Sequence, residues 1–317
     1  MSLVSVVMAN WNGLRHVRRC LDAVFAQTYP EIEVVVVDNG SVDDSKEVIR
    51  EAYPAVRLIE NPVNRGYGTA YNQAIRASRG VYVLALNADV FLDRDFIRVA
   101  TACMEEDHGI GTVAGRIYRD GTQDLMNVGI YLRKRLSLVN STNIDRKEWV
   151  FASNGAVPFH RRAMLEDVKV LDEYFDESYF AYQEDIDLAW RAQLRGWKCL
   201  YAPEATAWHV GSASVEGGIR LIDKPAFFQR HVLKNRYMTL TKDCSPGVFL
   251  VLLPSLLLTE AVTWPYFLLR RPLRVPYLAL AIADYLRLLP LTLRKRRLIQ
   301  ARRQVSDRHI RGFFRGF

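Results

Sequence analysis

The chain holds only four cysteines, Cys20, Cys103, Cys199 and Cys244, and no two lie close enough in sequence to form a CxxC pair. A zinc ribbon, a thioredoxin-like motif and a disulfide framework are therefore not expected, and a reducing compartment fits. Glycine and proline are scattered without a period, which excludes collagen-like and low-complexity chains. No internal repeat is present. A basic n-region and a cleavage site are missing before the strand-like residues 3–8, so no signal peptide is read and the body is expected in the cytosol. Excess positive charge is also missing from most of the chain. Residues 270–317 carry 13 Lys/Arg against only Asp284 and Asp307, although the whole chain is net +8. The remainder is mildly acidic. That balance does not fit a whole-surface nucleic-acid binder, and the tail is expected to meet something anionic.

What the chain does have is apolar sequence in short, ordered runs. Half of its 317 residues are hydrophobic and 25% are charged, enough for a buried core and too apolar for general disorder. β-Branched or apolar runs predict strands at 3–8, 33–38, 56–60, 81–86 and 110–114. Apolar residues at helical spacing predict helices at 14–27, from Asp43 or Asp44 to about Tyr53, and at 66–77 and 93–104. This alternation implies βαβ units and a mostly parallel sheet with helices on both faces. Ligands of such sheets bind beyond the carboxyl ends of the strands. Three of those ends are polar: residues 10–12, 38–41 and 87–89. Each alone reads equally well as turn chemistry. Three in one register point to a ligand edge.

Four segments, Val4-Ser-Val-Val-Met-Ala-Asn-Trp-Asn12, Val35-Val-Val-Asp-Asn-Gly-Ser41, Asn64-Arg-Gly-Tyr-Gly-Thr-Ala-Tyr-Asn72 and Leu86-Asn-Ala-Asp-Val90, resemble the successive motifs of family 2 glycosyltransferases. Phe180-Ala-Tyr-Gln-Glu-Asp-Ile-Asp-Leu188, with Arg191 and Gly196 after it, resembles that family's acceptor-side motif. The resemblance covers about residues 3–240. Asn87-Ala-Asp-Val90 and Trp208-His-Val-Gly-Ser212 are most similar to the rhamnosyltransferase branch. It implies a GT-A fold, with a nucleotide-sugar half at about 1–115 and an acceptor half at about 116–240.

The chemistry of these residues agrees. Asp38 at a strand end either accepts a hydrogen bond from a nucleobase imide or simply starts the Asn39-Gly40 turn. The resemblance adds Ala9 and Asn10 to the same pocket. Mg²⁺ or Mn²⁺ would bind the diphosphate through carboxylate oxygen, and Asp89 is the natural ligand. The family's usual Asp-x-Asp begins here with Asn87, which lowers the local negative charge. His209 is read either as a second metal contact or as a structural residue. Asn64 and Arg65, in a loop with Gly66 and Gly68, and Arg236, on a basic helical stretch, are candidates for the diphosphate. The resemblance implies that Asp185 is the base of an inverting transfer and that Glu184 orients the acceptor. The plainer reading of that pair is an acidic first helical turn. Asn154 and Tyr182 are the expected acceptor contacts.

Residues 247–269 and 277–293 are rich in Leu, interrupted by Pro254, Glu260 and Pro265 and with a break or kink expected at Pro290. Arg270, Arg271 and Arg274 lie between them, and Arg294-Lys-Arg-Arg297 follows. The expectation for 241–317 is a peripheral or monotopic anchor on the cytoplasmic face of the cell membrane, held partly by anionic lipid. A helical cap on the catalytic body and a transmembrane pair are the alternatives. The expected activity is transfer of L-rhamnose from dTDP-rhamnose to a polyprenyl-linked or growing surface glycan, with a homo-oligomer compatible and no nucleic acid involved. A sugar-nucleotide nucleotidyltransferase would need a Gly-rich loop with Lys and Arg, and residues 9–15 offer only Gly13 and Arg15. A non-catalytic, lectin-like membrane protein would have lost the base, whereas Asp89 and Asp185 are both present. A processive polysaccharide synthase would carry Gln-x-x-Arg-Trp, and Gln193-Leu-Arg-Gly-Trp197 is out of that register.

Overall fold

A computed structural model describes residues 1–211 and 224–316. Ser212, at the end of the Trp208 segment, lies outside the described residues. The expected strands appear as β1 (Val4–Asn10), β2 (Ile32–Asn39), β3 (Arg57–Asn61) and β4 (Tyr82–Asn87). They pair in parallel in the order β3-β2-β1-β4. Helices α1 (Val17–Phe25), α2 (Ser45–Ala52) and α3 (Tyr67–Ala77) make the crossovers. The runs of β1, β2 and β4 are near-continuously apolar because both sheet faces are covered, whereas the edge strand β3 keeps Arg57 and Glu60 exposed. Val6, Met8, Val34, Val36, Leu84 and Leu86 pack with α1, α2 and α4 (Phe96–Glu106). Val7, Val35, Val37, Val83 and Ala85 pack on the other side with α3, α5 (Arg162–Val168) and α6 (Glu184–Leu194).

The second half departs from the mostly parallel expectation. β11 (Phe159–Arg161) inserts antiparallel between β4 and β6 (Ile110–Arg119). β12 (Lys198–His209) runs parallel to β6, while β5 (Val90–Leu92) and β10 (Glu148–Val150) join β12 antiparallel. β7 (Leu125–Asn127) pairs with β6, and β8 (Ile130–Leu132) and β9 (Leu138–Asn140) form a separate ribbon. The sheet is therefore mixed, and parallel in its first half. All four cysteines are free and buried.

Three long helices follow: α7 (Ala226–Asp243), α8 (Pro246–Arg270) and α9 (Val275–Ala301), then the short α10 (Asp307–Arg311). Of the break or kink expected at Pro290, the break does not occur: Pro254, Pro265 and Pro290 all sit inside continuous helices, each exposed. The inner ends of this arm are part of the body. Cys244, Val248, Leu252, Leu256, Ile299 and Ile310 join Phe151 and Trp190 in one buried cluster. The outer stretch is not covered: Leu257, Leu258, Val262, Leu268, Leu269 and Leu273 are exposed. α8, and α9 with the 3-10 turn before it, are each long and apolar enough to cross a membrane, by length and composition alone.

Candidate active site

The polar residues at the ends of β1 and β2 form one buried knot. Asn10 Nδ2 donates to Asp38 Oδ1 (2.9 Å) and to Ser45 Oγ (2.8 Å), and Ser41 N–H donates to Asp38 Oδ2 (3.0 Å). Asp38 thus starts the turn, as its plainer reading had it, and stays buried at the edge. Asn10 Oδ1 is buried with no donor among the described residues, so one acceptor remains at this edge. Ala9 lies beside it, paired in register with Asn87 of β4. Asn39, which the sequence reading passed over as a turn residue, is the hub of the next loop. Its Nδ2 donates to Asn64 Oδ1 (2.9 Å) and its Oδ1 accepts from Arg65 N–H (3.0 Å). The Arg65 side chain is exposed.

At the end of β4, Asn87 Oδ1 accepts from Tyr71 OH (3.0 Å). Asp89 is nearly buried and its Oδ1 lies 3.3 Å from His209 Nε2. The pairing of β5 with β12 brings them together, since it sets His209 opposite Val90. Among the described residues no group of three or more His, Cys, Asp or Glu side chains is arranged to hold a metal. A carboxylate and an imidazole side by side do fit a divalent ion that takes its remaining ligands from phosphate and water. His209 Nδ1 is buried without a hydrogen-bond partner among the described residues.

Glu184 and Asp185 open α6, after a loop in which Phe180, Tyr182 and Gln183 all have positive φ (64°, 70° and 70°). Three non-glycine residues in that region carry strain that the surroundings must hold in place. Asp185 rests on Gly155: a Cβ at position 155 would stand 2.9 Å from Asp185 Oδ2. Gly155 O accepts from Tyr67 OH (2.8 Å), and the neighbouring Ala156 O accepts from Asn87 N–H (2.9 Å). A short path of contacts therefore links the two candidate carboxylates through the 154–156 turn. Burial first, then the neighbouring Asp185, pushes Glu184 up to about 8, and burial likewise raises Asp185. Glu184 Oε2 has no hydrogen-bond partner among the described residues. A helix N-terminus alone would lower both groups; here burial outweighs it.

Asp187, two residues on, cannot share this role. It is fully buried, and against the cost of burial Arg191 and Lys242 hold it ionised below the usual range. Asn154 Oδ1 accepts from Ala156 N–H (2.7 Å), so its side chain shapes the turn under Asp185. The Tyr182 ring packs edge-on against Phe228 and lies under Lys224 Nζ (4.3 Å). Arg236 is turned to α8, where its Nη1 meets Glu260 Oε1 at 2.5 Å; it is not brought to the strand ends by any hydrogen bond or ion pair among the described residues. The neighbouring Asn235 has the local role instead, donating to the carbonyls of Tyr179, Ala181 and Tyr182.

The same fold recurs in solved structures. TarS 1-349 from S. aureus superposes with a TM-score of 0.61 at 17% identity, over 94% of this chain and 90% of that one. The mannosyltransferase PcManGT from Pyrobaculum calidifontis, in complex with GDP-Man and Mn²⁺, gives 0.54 at 19%, over 98% and 85%. At these identities the likeness establishes the GT-A fold. Among curated sequences, a poly-beta-1,6-N-acetyl-D-glucosamine synthase of Staphylococcus epidermidis is 22% identical over 84% of this chain and 63% of its own length. A chondroitin synthase of Escherichia coli is 32% identical over 43% of this chain. The matched region is only 21% of that synthase, so the chain spans less than two thirds of either relative. The family model described as "Glycosyl transferase family 2" matches residues 5–166, more than half of the sequence, including the polar ends of β1, β2 and β4, and the chain belongs to that family.

Proposed function

We propose that this glycosyltransferase works by inversion, with Asp185 as the general base. The observation that carries this is the seating of Asp185 on Gly155, where burial makes the carboxylate more basic than usual, tied through the 154–156 turn to the end of β4. Asp185 takes the proton of the acceptor hydroxyl as that oxygen bonds to the sugar C1 and the C1–O bond to the diphosphate breaks. Glu184 orients the acceptor beside it, with Asn154 and Tyr182 flanking. Ala9, Asn10 and Asp38 receive the nucleobase, the orphan Asn10 Oδ1 supplying an acceptor for a base N–H. Asn64, Arg65 and Asn87 line the donor side. Asp89 and His209 would hold Mg²⁺ or Mn²⁺, which when bound neutralises charge on the departing diphosphate. The Arg236–Glu260 pairing leaves Arg236 an indirect part.

We take residues 1–240 as the catalytic unit and 241–317 as an arm resting on the cytoplasmic face of the membrane. The uncovered leucines of α8 and α9 support this, as do Arg270 and Arg271 at the turn between them. The donor favoured by the sequence resemblance is dTDP-L-rhamnose, and the acceptor a lipid-linked or growing surface glycan. The names of the matched synthases favour a second reading, processive transfer of an N-acetylated sugar. One experiment separates them. Purified full chain with Mg²⁺ is incubated with dTDP-rhamnose, UDP-GlcNAc, GDP-mannose and other nucleotide sugars, and nucleotide diphosphate release and product length are measured. Release from dTDP-rhamnose with single-sugar addition supports the first reading. Release from UDP-GlcNAc with a product ladder overturns it in favour of the second.

A further inference from the structure

The loop that carries the proposed base is gripped from behind by the C-terminal arm. Asp176, just before the loop, is 3% exposed and takes two lysines at once. Lys242 Nζ of α7 meets Asp176 Oδ2 at 2.5 Å, and Lys295 Nζ of α9 meets Asp176 Oδ1 at 2.7 Å. Lys295 also reaches Glu173 Oε2 (2.7 Å), and Lys242 also pairs with Asp187 Oδ1, one residue past Ile186 in α6. Asp187 Oδ2 is held in turn by Arg191 Nη2 (2.8 Å) and Nε (3.1 Å), while Nη2 also donates to Tyr174 O and Nη1 donates to Val168 O. Both lysines are about as buried as any core leucine, at 1% and 2% side-chain exposure.

Burying two ammonium groups is costly unless each is paired, and a core of leucines would fill this volume more cheaply. Such a cluster fixes geometry better than it adds stability. It brackets residues 176–187, the segment holding three strained positive-φ residues and the Glu184–Asp185 pair. Strained backbone keeps its shape only while its surroundings over-determine it.

We propose that Lys242 and Lys295 are positioning residues for Asp185: the arm, besides any contact it makes outside the protein, sets the base on Gly155 through Asp176 and Asp187. This rests on Asp185 being the base. Around the base stand Glu184 beside it, Asp187 on the same helix, Tyr67 from α3, and His160 and Lys198 across the adjoining cavity. Freeing the segment exposes Glu184 and Asp185 to water, so the pH at which the base ionises falls toward that of an ordinary carboxylate.

The test uses full-length Lys295→Met and Lys242→Met, with Lys295→Arg as the conservative control. Amide hydrogen exchange is followed in residues 176–187 and in β1, β2 and β4. We expect roughly tenfold or greater loss of protection confined to 176–187 in the Met variants, with the Arg variant close to the parent. Turnover should fall by about tenfold or more while UDP and dTDP affinities stay within about twofold, because the displacement is on the acceptor side. The acid limb of the kcat profile should move to lower pH. Unchanged protection of 176–187 overturns the inference whether or not the chain transfers sugar. So does increased exchange there with unchanged kcat and pH profile in an active enzyme. General unfolding of Lys295→Met would move the decision to the milder Lys295→Gln, where altered kcat with native exchange in the sheet supports the proposal and parent-like behaviour in every measurement overturns it. A parent protein that releases no diphosphate from any donor counts against the functional reading alone, and the exchange data then decide the clamp.

Discussion

The proposed donor edge and the proposed acceptor edge of this site are built by opposite means. At the donor edge, Asn10, Asp38, Ser41 and Ser45 satisfy one another across two adjacent strand ends, and the parallel register of β1 with β2 makes the meeting unavoidable. At the acceptor edge, Asp185 stands at a helix start whose loop is bent through three positive-φ residues. It is held by lysines from α7 and α9, whose partners in the loop lie 66 and 119 residues away in sequence. An edge tied to a distant helical arm lets the proposed base answer to where that arm sits.

Perturbing each edge in turn sharpens the contrast. The largest loss is expected at the donor side from Asp89→Ala, which removes the carboxylate of the proposed metal pair. Activity should fall by more than about 10²-fold, in line with several kcal/mol of transition-state charge stabilisation, and EDTA should silence the parent protein. Full turnover in excess EDTA would assign the diphosphate charge to Arg65. Next is Gly155→Ala, whose methyl would stand 2.9 Å from Asp185 Oδ2. A displaced base should cost roughly 10²-fold in kcat with nucleotide affinity unchanged. If both parameters hold, Asp185 is not seated as described.

The third effect is on stability. Glu184 is raised from about 4.5 to about 8 by burial and by Asp185. The folded state therefore binds the proton more tightly than the unfolded one. Its contribution is fully present below pH 4.5 and is lost as pH rises through about 8. Melting temperature should fall across this window more steeply in the parent than in Glu184→Gln, and parallel curves would place Glu184 in water.

The smallest effect concerns the arm's surface. The basic run 294–297 is not one outward cluster, as its sequence implied. Lys295 is buried against Glu173 and Asp176, and Arg296 donates to the carbonyls of Thr241 and Cys244. Only Arg294 and Arg297 are exposed. Replacing those two with Gln should weaken binding to anionic vesicles by about 1 kcal/mol each at low salt and leave neutral vesicles unaffected. Equal sedimentation of parent and variant with both vesicle types would remove the electrostatic share of membrane attachment.

These contrasts also explain what the sequence could reveal. Strands β1, β2 and β4 were legible because a strand buried on both faces must be a run of Val, Leu and Ile, and their polar ends stand out against it. Asp185 was legible as a motif, and Gly155 lay in a segment already marked. The antiparallel insertion of β11 was not legible, because a three-residue strand carries too little pattern. Nor were Lys242 and Lys295: a buried lysine looks like a surface lysine until its partners, far off in sequence, are folded against it. The unbroken helix through Pro290 was hidden for a related reason, since a proline facing solvent on a long packed helix costs one hydrogen bond without ending the helix.

The most direct test of the account is the turnover of Asp185→Asn, measured with saturating donor and acceptor alongside nucleotide affinity. Loss of the general base should lower kcat by roughly 10²–10⁴-fold. Diphosphate-nucleotide binding should be unchanged, because the side chain keeps its size and its place on Gly155. Near-parental kcat in a folded Asp185→Asn protein would contradict the account. With Asp187 locked between Arg191 and Lys242, it would leave Glu184 as the carboxylate that takes the proton.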